Sequence, residues 1–422
     1  MALLFVVAIF SYMDRYLIAV LQVPIKAELG FTDAQLGAVT GLAFAAVYAT
    51  AAVPLARVVD RGRRLLIMAT ALVAWSTLTA LTGLVVSFAG LVACRFGLAL
   101  GEAVCVPATH SLLADYFPLK LRGRVFAIWA LAAPIGMMAG LAGGGWLAQG
   151  VGWRLSFAIV GMSGLILAPV LLLLKEPVRG RFEPVSATGS QAGRAPPFWQ
   201  SFKALMRIRS FPVLICAVTL HLFGTTSLLN WSGPFYARVH QMPLSEMATT
   251  VALVVGIGGG LGTLLSGYLV DLLGRRDARW YAWAPGAAML LSAPLGVAQV
   301  LVPNATASIA LGVAAAALGA VYLAPTCAAV QSMVPPQMRA FAASILLLIP
   351  AVLGSGVGPY LTGALSDYLA SSYSLGGDAI RYAICVALAG SALGGAVYLS
   401  ADRRLARDLS RMASAAQSPA PI

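Results

Sequence analysis

Arg95 and Glu102 stand seven residues apart in the apolar stretch RFGLALGEAVCVPATH, and Asp14 and Arg15 are neighbours in another. Charge is expensive at membrane depth, so each such residue is first a candidate for function with a partner to be named. On a helix, seven residues return a side chain to nearly the same face, about 10 Å along the axis. Arg95 and Glu102 are therefore expected on one stripe that faces protein or an aqueous cavity rather than lipid. Arg15 shares a face with Ser11, Tyr12 and Gln22 between apolar flanks, which predicts a second polar line toward a cavity. Asp14 points about 100° away and is expected to pair with another helix. Two acids and two bases sum to zero, as a buried network requires.

Two chemistries fit these residues. Burial and a nearby guanidinium act in opposite directions on a carboxyl group's hold on its proton. Moving Arg15 or Arg95 relative to Glu102 would then load or release a proton, making Glu102 a coupling carboxylate. Alternatively, either arginine could hold a substrate phosphate or carboxylate, whose geometry a guanidinium fork matches. The plain alternative is a static salt bridge that fixes helix packing.

Apolar helices must hold these side chains in place. Of 422 residues, 60% are hydrophobic and 10% charged, with a mean hydropathy of +0.87. Soluble domains lie near roughly 45–50% and 25%, so the composition predicts an all-α membrane protein. Twelve stretches of spanning length can be drawn: 2–25, 34–58, 64–86, 89–114, 123–148, 153–174, 211–237, 246–272, 279–301, 306–332, 339–365 and 379–400. They predict two six-helix bundles, 1–174 and 211–401, joined by a linker, 175–210, and followed by a tail, 402–422. Within the linker, Phe198, Phe202, Leu205 and Met206 share one helical face beside Trp199, which reads as an interfacial helix or as a partly ordered linker. No cleavable signal is expected, because the first apolar run continues into Asp14 and Arg15.

The net charge of +13 is explained by orientation rather than nucleic-acid binding. With both termini and the linker in the cytoplasm, that side holds 22 of the 28 Lys and Arg residues. A bacterial-type inner membrane and a monomer are expected, with membrane lipids, protons and a small amphiphilic or anionic solute as partners. Five cysteines scattered through the spans predict neither a disulfide framework nor a metal site. No Walker-type phosphate loop occurs, so no nucleotide or other cofactor is expected.

In the seventh span, His221, Asn230 and Trp231 precede Gly233–Pro234. A break there would free backbone groups where protein or water can satisfy them, so the three residues are candidate substrate contacts. For His221 a packed, hydrogen-bonded role is the stronger expectation.

Asp60, Arg61, Arg63 and Arg64 follow the second span in LARVVDRGRR, and Gly267, Asp271, Gly274, Arg275 and Arg276 follow the eighth in GYLVDLLGRR. Such loops can present arginines to an aspartate and to helix C-terminal carbonyls, acting as a conformational latch. These residues resemble the major facilitator superfamily, whose loop signature G-x-x-x-D-x-x-G-R-R is matched from Gly267 to Arg276. The first copy departs, with Ala56 in place of the leading glycine and a turn one residue shorter. The segments 14–44, 95–124 and 358–367 further resemble the spinster branch, associated with lysophospholipid and sphingosine-phosphate transport. That resemblance implies functional roles for Asp14, Arg15, Arg95 and Glu102.

The expectation is a proton-coupled, alternating-access carrier and not an enzyme. A proton-driven multidrug or organic-anion exporter and an uncoupled facilitator are the alternatives within transport. An intramembrane enzyme or scramblase would need a nucleophile or metal cluster at membrane depth. A receptor would have no use for paired latch loops.

Overall fold

The computed structural model describes residues 1–182, 198–274, 277, 279–335 and 338–408. Arg275 and Arg276 of the expected latch, much of the linker (183–197) and most of the tail lie outside these residues. The described residues form helices without strands. This is the architecture a bilayer imposes, because a helix satisfies its backbone polar groups within one segment.

Two compact units divide the chain: Met1–Gln191 with Asn230–Ala252, and Ala192–Leu229 with Leu253–Ile422. The first contains α1 (Ala2–Leu29), α2 (Asp33–Gly37), α3 (Ala43–Arg61), α4 (Arg64–Thr82), α5 (Phe88–Glu102), α6 (Cys105–Tyr116), α7 (Leu119–Ala130), α8 (Ala132–Met138) and α9 (Gly144–Leu171). The second begins with α10 (Phe198–Met206) and most of α11 (Phe211–Val239). The end of α11 and α12 (Leu244–Leu253) up to Ala252 pack with the first unit. The second unit continues with α13 (Gly259–Gly274), α14 (Trp280–Leu301), α15 (Ala305–Ala320), α16 (Leu323–Met333), α17 (Arg339–Ile349), α18 (Val357–Ser372) and α19 (Ala379–Leu399).

Among the described residues, eleven helical runs are long and apolar enough to cross a membrane. One of them, Lys120–Leu171, has 52 residues. At 1.5 Å per residue it would reach about 78 Å, against a hydrocarbon core of about 30 Å. The run breaks at Gly152, whose φ of 84° and ψ of 158° belong to glycine alone. Counted as two crossings, it makes the all-helical fold consistent with the expected twelve spans. Pairs of α-helices are joined through short π-helical segments at Ala38–Leu42, Ala139–Gly143, Val254–Gly258 and Pro350–Gly356, which fall in every third crossing.

Small residues let the helices approach closely, as membrane bundles require. Gly136, Gly140 and Gly144 form one row against α1. A Cβ at Gly140 would lie 2.5 Å from the Met13 carbonyl oxygen, and one at Gly136 would lie 2.5 Å from that of Ile9. In the second unit, Gly354 and Gly358 press in the same way on the backbone of α11 at Thr219 and Phe223. Around these seams, Leu72, Trp75, Leu98 and Leu112 centre one apolar core, and Phe211, Met289 and Tyr398 the other.

Two spans depart from expectation, one expected continuous and one expected broken. The stretch 89–114 is divided by a turn at Ala103–Val104, so α5 ends on Glu102 itself. Conversely, α11 runs unbroken through Gly233–Pro234. Pro234 has no N–H to donate to the carbonyl four residues back. That carbonyl, Asn230 O, accepts instead from Gln22 Nε2 at 2.9 Å. One side-chain amide thus replaces the missing backbone donor and the helix stays intact.

Candidate functional site: a buried charge network

The first unit brings Asp14, Arg15, Arg95 and Glu102 together. Glu102 is fully buried, and its Oε2 accepts from Arg15 Nη2 at 2.8 Å and Nε at 3.2 Å. Arg15 is the partly open partner, with 24% of its side chain exposed. Three rings surround its guanidinium carbon: Phe44 at 4.6 Å, Tyr48 at 4.8 Å and Tyr12 at 5.3 Å. Ring faces attract a desolvated cation, so this cage holds Arg15 in place without neutralising it.

Arg95 and Asp14 are buried nearby without an ion pair among the described residues. Arg95 donates from Nη2 to the Arg15 carbonyl at 3.2 Å and lies 5.7 Å from the Phe44 ring. Its Nε has no hydrogen-bond partner. Asp14 Oδ2 accepts from Thr79 Oγ1 of α4 at 3.3 Å, while Oδ1 accepts nothing, as is also true of Glu102 Oε1. One ion pair is closed, and an acid and a base stand buried beside it outside any ion pair. Gln22, expected on the cavity line with Arg15, is fully buried on the Asn230 carbonyl.

At the end of the unit near Met1, Arg64 is buried and works as a hub. It donates to Glu176 Oε1 from Nε at 3.2 Å and from its backbone N at 2.8 Å, to Ser111 Oγ at 2.9 Å and to Pro177 O at 2.9 Å. It also pairs with Asp115. Arg179, rather than a loop arginine, caps the end of α3 by donating to Val59 O at 3.0 Å and Gly62 O at 2.6 Å. Asp60, Arg61 and Arg63 lie exposed. Gly267 and Gly274 sit in α13 together with the backbone of Asp271.

The opposite end of the unit holds a cluster that sequence reasoning missed. Asp33 is buried and takes a bidentate contact from Arg238 of α11, with both distances 2.7 Å, together with Lys26 Nζ. Thr32 and Gln35 form a capping box that fixes this helix start. The signal available in the sequence was Lys26 and Asp33 flanking the Gly30 turn; nothing local pointed to Arg238. Trp231 is fully buried in this unit.

His221 belongs to the second unit and is fully buried. Its Nε2 lies 2.9 Å from Gly319 O and its Nδ1 2.8 Å from Ser391 Oγ. A carbonyl only accepts, so Nε2 carries the hydrogen and Nδ1 accepts from the serine in the neutral ring. Gly319 lies in the last turn of α15, just before the turn Val321–Tyr322. In each unit, then, a polar residue of one long helix reaches the place where another is broken: Arg15 toward the end of α5, His221 toward the end of α15.

Long apolar helices, two bundle cores and a buried charge network define a polytopic membrane transporter. A profile described as the Major Facilitator Superfamily matches residues 4–302, and the chain belongs to that family. It is a spinster-like member. An MFS-type efflux pump of Mycolicibacterium smegmatis is 36% identical over 94% of this chain and 91% of its own. Protein spinster of Drosophila melanogaster is 28% identical over 86% of this chain, which spans 60% of that protein. A bacterial homolog of the human lysosomal transporter Spinster, solved inward-facing and unoccupied, superposes with a TM-score of 0.87 at 28% identity, covering 96% of this chain and 97% of its own.

Breaking a buried ion pair by removing one partner costs about 3–5 kcal/mol, because the other charge stays behind. Arg64→Gln is therefore expected to lower the thermal unfolding midpoint in detergent sharply, and Arg63→Gln to leave it unchanged. Equal midpoints for both variants would remove Arg64 from its place as hub.

Proposed function

We propose that this chain is a proton-coupled carrier that moves an amphiphilic or anionic organic solute, such as a lysophospholipid, by alternating access. It works in a bacterial-type inner membrane, with both termini in the cytoplasm. The supporting observation is the unequal pairing of the buried charges: Glu102 has Arg15, whereas Asp14 has a hydroxyl and no cation. An isolated buried carboxylate is far costlier than a neutral one, so a proton is the counter-charge Asp14 takes in this state. Arg95, unpaired and close by, expels that proton when it moves onto Asp14.

Substrate couples to protons through competition for Arg15. This is the charge of the four that solvent reaches, and an anionic headgroup on its guanidinium draws it from Glu102. Glu102, left without its cation, then takes up a proton, so anion and proton travel together. An organic cation would compete with the proton at the carboxylates instead and give antiport. The efflux-pump relative favours export, the direction of the alternative reading as a multidrug or organic-anion exporter. Asp60, Arg61 and Arg63, with Asp271, Arg275 and Arg276 after the eighth crossing, serve as the cytoplasmic latch. His221, Asn230 and Trp231 support the substrate path. Asp33 with Arg238 and Lys26 closes the opposite end.

Proteoliposomes with labelled lysophospholipid test the coupling. Wild type should accumulate it under an inward proton gradient, and Asp14→Asn and Glu102→Gln should lose accumulation while keeping counterflow. Transport of lipophilic cations out against protons, with no lysolipid movement, would replace the carrier reading with the exporter. The closed end is tested separately with spin labels at positions 31 and 241. Asp33→Asn should add a longer-distance population to their distribution, and an unchanged distribution would remove this ion pair from the gating scheme.

A further inference from the structure

We propose that the second unit carries a binding site for the phosphate headgroup of an anionic phospholipid, where α14 begins and the chain leaves α19. A cleft of about 300 Å³ opens there, lined by Arg279, Arg403, Ala406 and Arg407. The three arginines come from two separate parts of the chain. Arg279 caps the start of α14, and Arg403 and Arg407 stand one turn apart on the helical stretch 402–408. Arg407 Nε donates to the Arg403 carbonyl at 3.1 Å, which holds that side chain along the helix.

The carboxylates near the cleft accept from backbone N–H groups or a serine, and none of them pairs with the guanidinium of Arg279 or Arg403. Asp277 Oδ1 accepts from the Arg279 backbone N at 2.8 Å, and Asp402 accepts from the backbone N of Arg403. Asp408 Oδ2 accepts from Ser210 Oγ at 2.7 Å and from Ser210 N at 3.1 Å. No ion pair among the described residues uses Arg279 or Arg403. Like charges gathered around one cleft repel unless an anion sits between them, and guanidinium forks match phosphate oxygens in pairs.

The neighbouring aromatics select the source of that phosphate. Trp280 and Trp283 meet edge-to-face at 5.6 Å, and the Arg279 guanidinium carbon lies 6.0 Å from the Trp283 ring. Tryptophans at the end of a membrane-crossing helix mark headgroup level. Basic clefts between such helices take anionic lipid headgroups. The cleft has room for a phosphoglycerol headgroup, with the acyl chains lying outside it along the helices.

The test uses the full chain in neutral detergent, comparing wild type with the double variant Arg279→Gln/Arg403→Gln. Thermal unfolding is followed while phosphatidylglycerol, phosphatidylcholine or inorganic phosphate is added, and native mass spectrometry counts retained lipid. Phosphatidylglycerol should raise the wild-type midpoint and remain bound, with an apparent affinity about tenfold or more weaker in the variant. Phosphatidylcholine should do neither, and the two proteins should share one midpoint in detergent alone. An equal response of both proteins to phosphatidylglycerol would overturn the site. A wild-type shift with inorganic phosphate as large as that with phosphatidylglycerol, lost in the variant, would overturn the lipid assignment in favour of a soluble phosphate.

Discussion

A carboxylate sealed in a helix bundle must be matched by a cation, a proton or a set of donors, and the first unit is organised around that requirement. Glu102 is matched by Arg15, whose Nη2 and Nε both donate to one carboxylate oxygen. The aromatic cage of Tyr12, Phe44 and Tyr48 then makes the position of Arg15 specific rather than merely neutralising. Asp14 receives a hydroxyl from Thr79 and nothing charged. In the proposed scheme this asymmetry gives the network a next state, because a protonated acid is emptied only as another charge moves.

The helices are shaped to hold such a device. The turn after Glu102 ends α5 at the carboxylate, so a reorganisation of the ion pair acts on a joint that already exists. The glycine row of Gly136, Gly140 and Gly144 brings backbone against α1, the helix that carries both Asp14 and Arg15. Van der Waals contact of this kind fixes a helix's position while leaving it free of interlocking side chains. Arg64 at one end and Asp33 at the other tie several helices together through charge. The middle of the unit is thus held by close packing and the Arg15–Glu102 pair, and its ends by further ion pairs.

Much of this was legible in the sequence. Hydropathy gave the crossings, including the division near residue 152 that the helical run itself conceals, because length per crossing is set by the bilayer. The cost of charge singled out Asp14, Arg15, Arg95 and Glu102. Which charge pairs with which was not readable, since Arg15 and Glu102 lie 87 residues apart and their partnership depends on helix packing. The Gly233–Pro234 pair read as a break because local rules see the lost backbone bond but not Gln22, which replaces it from a different helix. Likewise Arg64 shares a loop with Asp60, Arg61 and Arg63, yet it turns inward to Asp115 and Glu176 while they face outward. Composition places such arginines at a helix end; only the tertiary partners sort them.

Infrared difference spectroscopy of the carboxyl stretch on the reconstituted protein would read the proton itself. At neutral pH and without substrate, one protonated carboxyl band should be present in wild type, absent in Asp14→Asn and retained in Glu102→Gln. A band that survives Asp14→Asn and disappears in Glu102→Gln would put the proton on the residue paired with Arg15. That result would overturn the assignment of charge on which the coupling scheme rests.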